Sequence, residues 1–507
     1  MTWERLIEGH SNIEDIKVRV EKNIEKFRVY PKSIQKKGNT LFFIIKEALE
    51  KLLIIAGSDE YFKGFDGNED KVNGVCVKVC KLTHENCVQL RELFPYTRPV
   101  SHGNRPFSFG LGDRLGIASA GHIRLIQDMD VFPILAQQSI RELNLTGRTY
   151  SGVLDDASWA VFQEGYTKGF GADADHLKTK QEVQMGIDCG YSMITLDCSE
   201  HIANEYFNMS EEQISQEYAK LPETLRQETE SLYLSGGIRI NDTTMIRFNK
   251  SKLMKYVLVY RHALGFIQAI YEEAILESPR KIDFEISVDE TIVPTTPEAH
   301  FYIANQLRMM NIQVDNLAPR FCGEFQKGID YIGDVREFEY DFTMHERIAE
   351  YFGYRLSIHS GSDKFSVFSI IGKYTYLHVH VKTAGTNWLE AVRLIAEKSP
   401  SLYRRMHRFA IEHLNEARKY YHIGAKPENI ADIDTMDDSN LPALMSLNDS
   451  RQVLHITYGL LLQAKNRDGR YTFRDDIYRV LNEYENDYYG NLAKHIGKHL
   501  ELLGVAK

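Results

Sequence analysis

Asp175 and His176 stand side by side in the run Gly171-Ala172-Asp173-Ala174-Asp175-His176-Leu177-Lys178-Thr179. A neutral imidazole binds a divalent metal, and an adjacent carboxylate can take a proton from whatever that metal polarises. The run reads as a short buried strand entering a helix, which places the pair at a strand end. A lone Asp-His is equally well a strand end with a helix cap. The chemical reading therefore depends on what gathers around it.

Carboxylates, imidazoles and lysines recur at the ends of other candidate strands: Asp155 and Asp156; Asp197; Glu285, Asp289 and Glu290; Asp315, Asn316 and Arg320; His359, Ser360, Ser362, Asp363 and Lys364; His380 and Lys382. Buried carboxylates and imidazoles are costly unless they pair or hold a metal. Seven such strand ends in succession point to one shared site.

The elements that would carry them are short apolar strands alternating with helices between about 99 and 400. Strands are expected near Phe107 and at Thr149–Val153, Ala172–Leu177, Met193–Leu196, Ile282–Val288, Ile312–Leu317, Arg355–His359 and Tyr376–Val381. Helices are expected at Ile134–Leu143, Thr296–Met309, His345–Tyr351 and Trp388–Ala396. Eight strands in this arrangement predict an α/β fold, a (β/α)8 TIM-type barrel with its chemistry at the C-terminal strand ends. Residues 1–98 read as an appended N-terminal α+β domain, with helical patterning at Ile13–Phe27 and Leu41–Ile55. An insertion at about 199–250 reads as a lid, an oligomer contact or a surface excursion. Residues 401–507 read as a helical C-terminal region.

The chain has 507 residues and a formal net charge of -10. That balance gives no general attraction to nucleic acid or an anionic membrane. No apolar run approaches the roughly 20 residues that span a bilayer, and Met1-Thr2-Trp3-Glu4-Arg5 opens an amphipathic stretch without an apolar core, so a cytoplasmic location is expected. Six cysteines make no disulfide framework. Cys76, Cys80, His84 and Cys87 lack the spacing of paired zinc knuckles, and Val75 to Cys80 alternates as a strand does. The glycines of Phe107-Ser108-Phe109-Gly110-Leu111-Gly112-Asp113-Arg114-Leu115-Gly116 depart from a dinucleotide fingerprint and read as a strand and tight turn.

Five motifs in order carry a family resemblance: the run around Asp175 and His176, Ser287-Val288-Asp289-Glu290-Thr291, Leu317-Ala318-Pro319-Arg320-Phe321, Ile358-His359-Ser360-Gly361-Ser362-Asp363-Lys364-Phe365, and Val379-His380-Val381-Lys382-Thr383-Ala384-Gly385-Thr386. Together they resemble the tagaturonate epimerases of hexuronate catabolism, which interconvert D-tagaturonate and D-fructuronate. A looser similarity is to class II aldolases. The resemblance implies one divalent metal (Zn, Mn, Co or Ni), a proton acceptor and a proton donor.

Carried over residue by residue, it implies Asp175 as acceptor and His176 and His359 as metal ligands. Asp315, Glu285 and His380 compete for the third ligand; Asp315 is taken, with Glu285 as the proton donor. Arg320, Lys364 and Lys382 are candidates for the substrate carboxylate, since each lies in a strand-end loop. The centre that differs between the two ketouronates lies β to the ketone, where the carbonyl does not acidify the C–H, so acid/base retro-aldol chemistry is expected. The expected partner is a small ketouronate, with a homo-oligomer possible on sequence grounds. The alternatives are an aldolase acting on a ketose phosphate and a non-catalytic sugar-binding subunit.

Overall fold

The computed structural model describes residues 6–7, 12–57 and 59–505; the Met1–Arg5 stretch lies outside them. An antiparallel sheet comes first, built from β1 (Gln35–Lys37), β2 (Thr40–Glu47), β3 (Glu50–Gly57), β4 (Asn68–Val72) and β5 (Val75–Lys81), in the order β1-β2-β3-β5-β4. The expected helix at Leu41–Ile55 is thus a hairpin, in register from Thr40 opposite Gly57 to Glu47 opposite Glu50. Its hydrophobic run is continuous because both faces are covered. Leu41, Phe43 and Ile45 pack on the helix Ile13–Lys22, while Phe42 and Ile44 pack with Leu90, Phe94 and Phe162. Such a two-sided strand loses the alternation that would mark it in sequence. Cys80 and Cys87 belong to the second apolar cluster, and His84 turns to Asp155 at 2.7 Å.

Eight parallel strands then close a barrel: β6 (Phe107–Gly110), β7 (Phe132–Ser139), β8 (Gly171–Leu177) and β9 (Met193–Asp197), and, after a two-stranded ribbon β10 (Ile238–Arg239) and β11 (Met245–Ile246), β12 (Asp283–Ser287), β13 (Asn316–Ala318), β14 (Arg355–Ile358) and β15 (Val379–Lys382). β15 pairs with β6 and closes the ring. The count matches the sequence reading, but one strand is elsewhere. β7 occupies most of the stretch expected to be helical, and Thr149–Val153 opens the helix Tyr150–Gln163, with the Thr149 side chain accepting from the Gly152 N–H. Asp155 and Asp156 therefore lie on a helix, where Asp155 pairs with Arg91 and Asp156 with Arg148, and neither is at a strand end.

The insertion holds the helices Glu211–Ala219 and Glu223–Tyr233 and packs along the helix Lys250–Ile270. Helices Pro400–Glu412, Asn448–Ile456, Arg474–Glu483 and Glu485–Leu503 share one apolar core with the barrel. No helix among the described residues is long and apolar enough to cross a membrane.

Candidate active site

Three ligand-bearing side chains meet at the C-terminal ends of β8, β12 and β14. His176, Asp289 and His359 offer ligand atoms that all lie within 4.8 Å of one another. Local backbone geometry brings them there. A regular strand would point Asp175 and His176 to opposite faces. The β8–β9 register shifts between Ala174 and Leu177, and His176 takes a left-handed conformation (φ 54°), so both side chains reach the same cavity. Ser360, just past His359, is also left-handed (φ 51°). At Gly361 a Cβ would stand 2.8 Å from Val381 and 3.0 Å from the Lys382 carbonyl, so the turn needs glycine. Asp289 lies two residues beyond β12 and accepts a hydrogen bond from the Ser287 hydroxyl.

The two imidazoles are oriented by carboxylates behind them. His176 Nδ1 lies 2.8 Å from Asp175 Oδ1, and His359 Nε2 lies 2.7 Å from Glu285 Oε1. This leaves His176 Nε2 and His359 Nδ1 facing Asp289, at 4.0 and 3.2 Å. His359 Nδ1 is buried without a hydrogen-bond partner. Beneath them the Lys382 ammonium touches Asp173 (2.9 Å), Asp175 (2.6 Å), Glu285 (2.8 Å) and the Thr195 hydroxyl (2.7 Å).

Three carboxylates thus face one ammonium. Burial alone would raise Asp175, but His176 and Lys382 beside it hold its carboxyl well below the usual range. Burial, answered by Lys382 but reinforced by the charges of Asp175 and Glu285, pushes Asp173 up to about 6. Burial opposes charge on His359, yet Asp289 and Glu285 outweigh it and push the imidazole up to about 10. The surplus of negative charge suits a divalent cation held by His176, Asp289 and His359, with Asp175 and Glu285 as the carboxylate partners that fix the imidazoles.

Not every residue expected from sequence arrives here. Asp315 does not: β13 begins at Asn316, so Asp315 precedes the strand, at the opposite mouth of the barrel. There it accepts from the Phe284 N–H at 2.8 Å and lies beside His102 and Asp283. Asp289 takes the place expected for it. Glu285 is fully buried below His359 and is absent from the cavity wall. Lys364 turns away and donates to the carbonyls of Gln326, Ile329 and Ser362 at 2.6–2.9 Å. Arg320 lines an adjoining cleft with Asp289 and His359 and donates to the Thr291 carbonyl. His380 lies inside the barrel, 2.9 Å from the Ser108 hydroxyl.

The cavity measures about 340 Å³, and among the residues lining it are Gln137, Asp175, His176, Lys382 and, from the C-terminal region, Tyr420, Tyr421 and His422. None of its lining residues comes from the insertion at 199–250.

A family model described as tagaturonate epimerase matches residues 30–503. The chain belongs to the tagaturonate epimerase family. That makes it an isomerase. A tagaturonate/fructuronate epimerase of Thermotoga maritima is 40% identical over 484 residues, covering 94% of this chain and 97% of that protein. The native crystal structure of a fructuronate-tagaturonate epimerase from Cohnella laeviribosi superposes with a TM-score of 0.92 at 49% identity, over 97% of this chain and 99% of that one. A glycerol complex of the same enzyme matches equally well, over 96% of this chain and 100% of that one. The family match spans the whole N-terminal sheet, the barrel and the C-terminal helices together.

Proposed function

We propose that this epimerase interconverts D-tagaturonate and D-fructuronate, with a divalent cation held by His176, Asp289 and His359. The observation that carries the reading is the convergence of this ligand cluster with the Asp175–Lys382 pair in one cavity of a tagaturonate epimerase fold. A cation there would act as a Lewis acid toward the oxygens of a bound ketose.

The protein's own groups account for the protons. Asp175, held ionised, takes the proton from the hydroxyl on the epimerising carbon. The bond from that carbon to its neighbour beside the ketone breaks, leaving an aldehyde and a three-carbon enolate. The aldehyde turns its other face, the bond re-forms, and Lys382 returns a proton to the new alkoxide. The 2.6 Å contact between Lys382 and Asp175 lets the acquired proton pass back, so the cycle closes without net gain or loss. Lys382 fits this role better than carboxylate binding because it is already surrounded by anions. Glu285 orients His359 and acts on the substrate only through its neighbours.

Proton NMR of the full chain with D-tagaturonate in D2O, with chelator and then with added Mn, Zn, Ni or Co, tests the reading. Metal-dependent formation of D-fructuronate, with no deuterium at the inverted carbon, is expected. Deuterium at that carbon would overturn the bond-breaking route, and no conversion with any metal would overturn the function.

A further inference from the structure

The cavity has a second end whose charges the chemistry above leaves unused. Arg141 rises from the first turn of the helix Ile140–Thr146 that follows β7, and Lys327 from the loop after β13. Both line the cavity that holds Asp175 and His176. Among the described residues, neither is matched to a carboxylate. Lys327 Nζ donates to the Ser360 hydroxyl at 2.9 Å, and the Arg141 guanidinium lies over the Tyr421 ring, 4.9 Å from its centre.

Burial and the neighbouring Arg141 lower the pKa of Lys327, with Glu142 and Asp175 opposing them. Glu142 faces both, but its carboxylate is taken by Arg114 at 2.5 and 3.0 Å, and Arg114 in turn lies over Tyr458. Glu290 at the rim also faces Arg141 and is shared with Lys178 at 3.9 Å. One end of the cavity therefore carries excess carboxylate and the other excess cation. A sugar acid has the same division: a hydroxyl and ketone end that suits the metal cluster, and an anionic end that does not.

We propose that Arg141 and Lys327 bind the carboxylate of the ketouronate and set the preference for acids over neutral ketoses. The proposal rests on the function given above. An arginine fork grips a carboxylate through two parallel hydrogen bonds, and a lysine adds a compact second charge. Stacking on Tyr421 holds the guanidinium in place before substrate arrives, which lowers the ordering cost of binding. Ser360 connects the two ends, since it follows the ligand His359 in sequence and accepts from Lys327. Tyr421 is donated by the C-terminal region, so that region builds part of the specificity pocket and does not merely pack on the barrel.

Steady-state kinetics of the metal-loaded full chain separate the possibilities. In Arg141→Gln and Lys327→Met, kcat/KM for D-tagaturonate is expected to fall roughly 10- to 100-fold, mainly through KM. The inhibition constant of D-tagatose, which has a hydroxymethyl group in place of the carboxylate, is expected to stay unchanged. Arg141→Lys is expected to keep part of the lost affinity. Equal losses toward acid and neutral sugar, or no loss toward either, would overturn the proposal. Calorimetry with D-galactonate reads the subsite without turnover. If wild type fails to convert D-tagaturonate, the function falls alone provided Lys327→Met still weakens D-galactonate binding about tenfold; unchanged affinity overturns the subsite as well.

Discussion

The Nζ of Lys382 lies 2.6 Å from Oδ1 of Asp175, and the same oxygen is 2.8 Å from Nδ1 of His176. One carboxylate therefore links the buried ammonium to the ligand cluster. Replacing Lys382 with Met leaves Asp173, Asp175 and Glu285 without their counter-charge. A loss of about 3–5 kcal/mol in stability is expected, together with near-complete loss of turnover. Chemical denaturation and epimerase assays on the same preparation check this. A stable variant with altered KM alone would contradict the proton-carrying role.

Asp289 and Asp315 are separated by the length of the barrel, and only Asp289 meets His176 and His359. Asp289→Asn should therefore lower divalent metal affinity about 10- to 100-fold, whereas Asp315→Asn should leave it unchanged. Metal content after dialysis against a weak chelator distinguishes them. Equal loss from both variants would refute the assignment.

Glu485 fastens the N-terminal sheet to the helix Glu485–Leu503, accepting from Lys46 (2.9 Å), Lys51 (2.7 Å), Tyr30 (2.8 Å) and Tyr489 (2.8 Å). Burial alone would raise its pKa, but Lys51 and Lys46 outweigh burial and bring it from the ordinary 4.5 to about 2. A carboxylate depressed on folding stabilises fully above its unfolded value, and that stability is lost as pH falls through the folded value. Glu485→Gln is expected to cost about 3 kcal/mol at pH 7. The gap from wild type should shrink between pH 4.5 and about 2, as read by denaturation at a series of pH values. A gap independent of pH would show that packing, and not charge, accounts for the loss.

Asp363, four residues beyond His359, takes Arg451 at 2.8 Å and His495 at 2.6 Å, while its own N–H donates to His499 at 3.0 Å. It is itself left-handed (φ 66°). Asp363→Asn should destabilise the fold by about 2–4 kcal/mol and lower kcat, because the turn bearing His359 loses its anchor. A variant with reduced stability but unchanged kcat would show that the turn holds its shape without it.

The barrel and its chemical pair were legible because β8 places Asp175 and His176 inside an unmistakable run of small and apolar residues. β7 was not: Phe-Pro-Ile-Leu-Ala-Gln-Gln-Ser is buried along its whole length, so it shows no period of two, and the helix that follows blurs its end. The hairpin β2–β3 misled for the same reason, aided by the helix-forming Ala-Leu-Glu-Lys at its turn. Asp289 was visible as a strand-end carboxylate, but nothing local ranks it above Asp315. That choice depends on β13 starting at Asn316, an error of a few residues that moves a side chain to the other end of the barrel. Arg141, Lys327 and Tyr421 meet only in three dimensions, from segments nearly 100 or more residues apart.

β6, the strand that closes the ring against β15, has Phe109 in contact with His499, and the cavity mouth is walled by Tyr420, Tyr421 and His422. During synthesis the ribosome delivers Phe107 to Gly110 some 270 residues before the partner strand and nearly 400 before the histidine that covers it. The half-made barrel keeps an open seam at β6 until β15 has been made. Catalysis, on this order of events, is among the last properties the growing chain acquires.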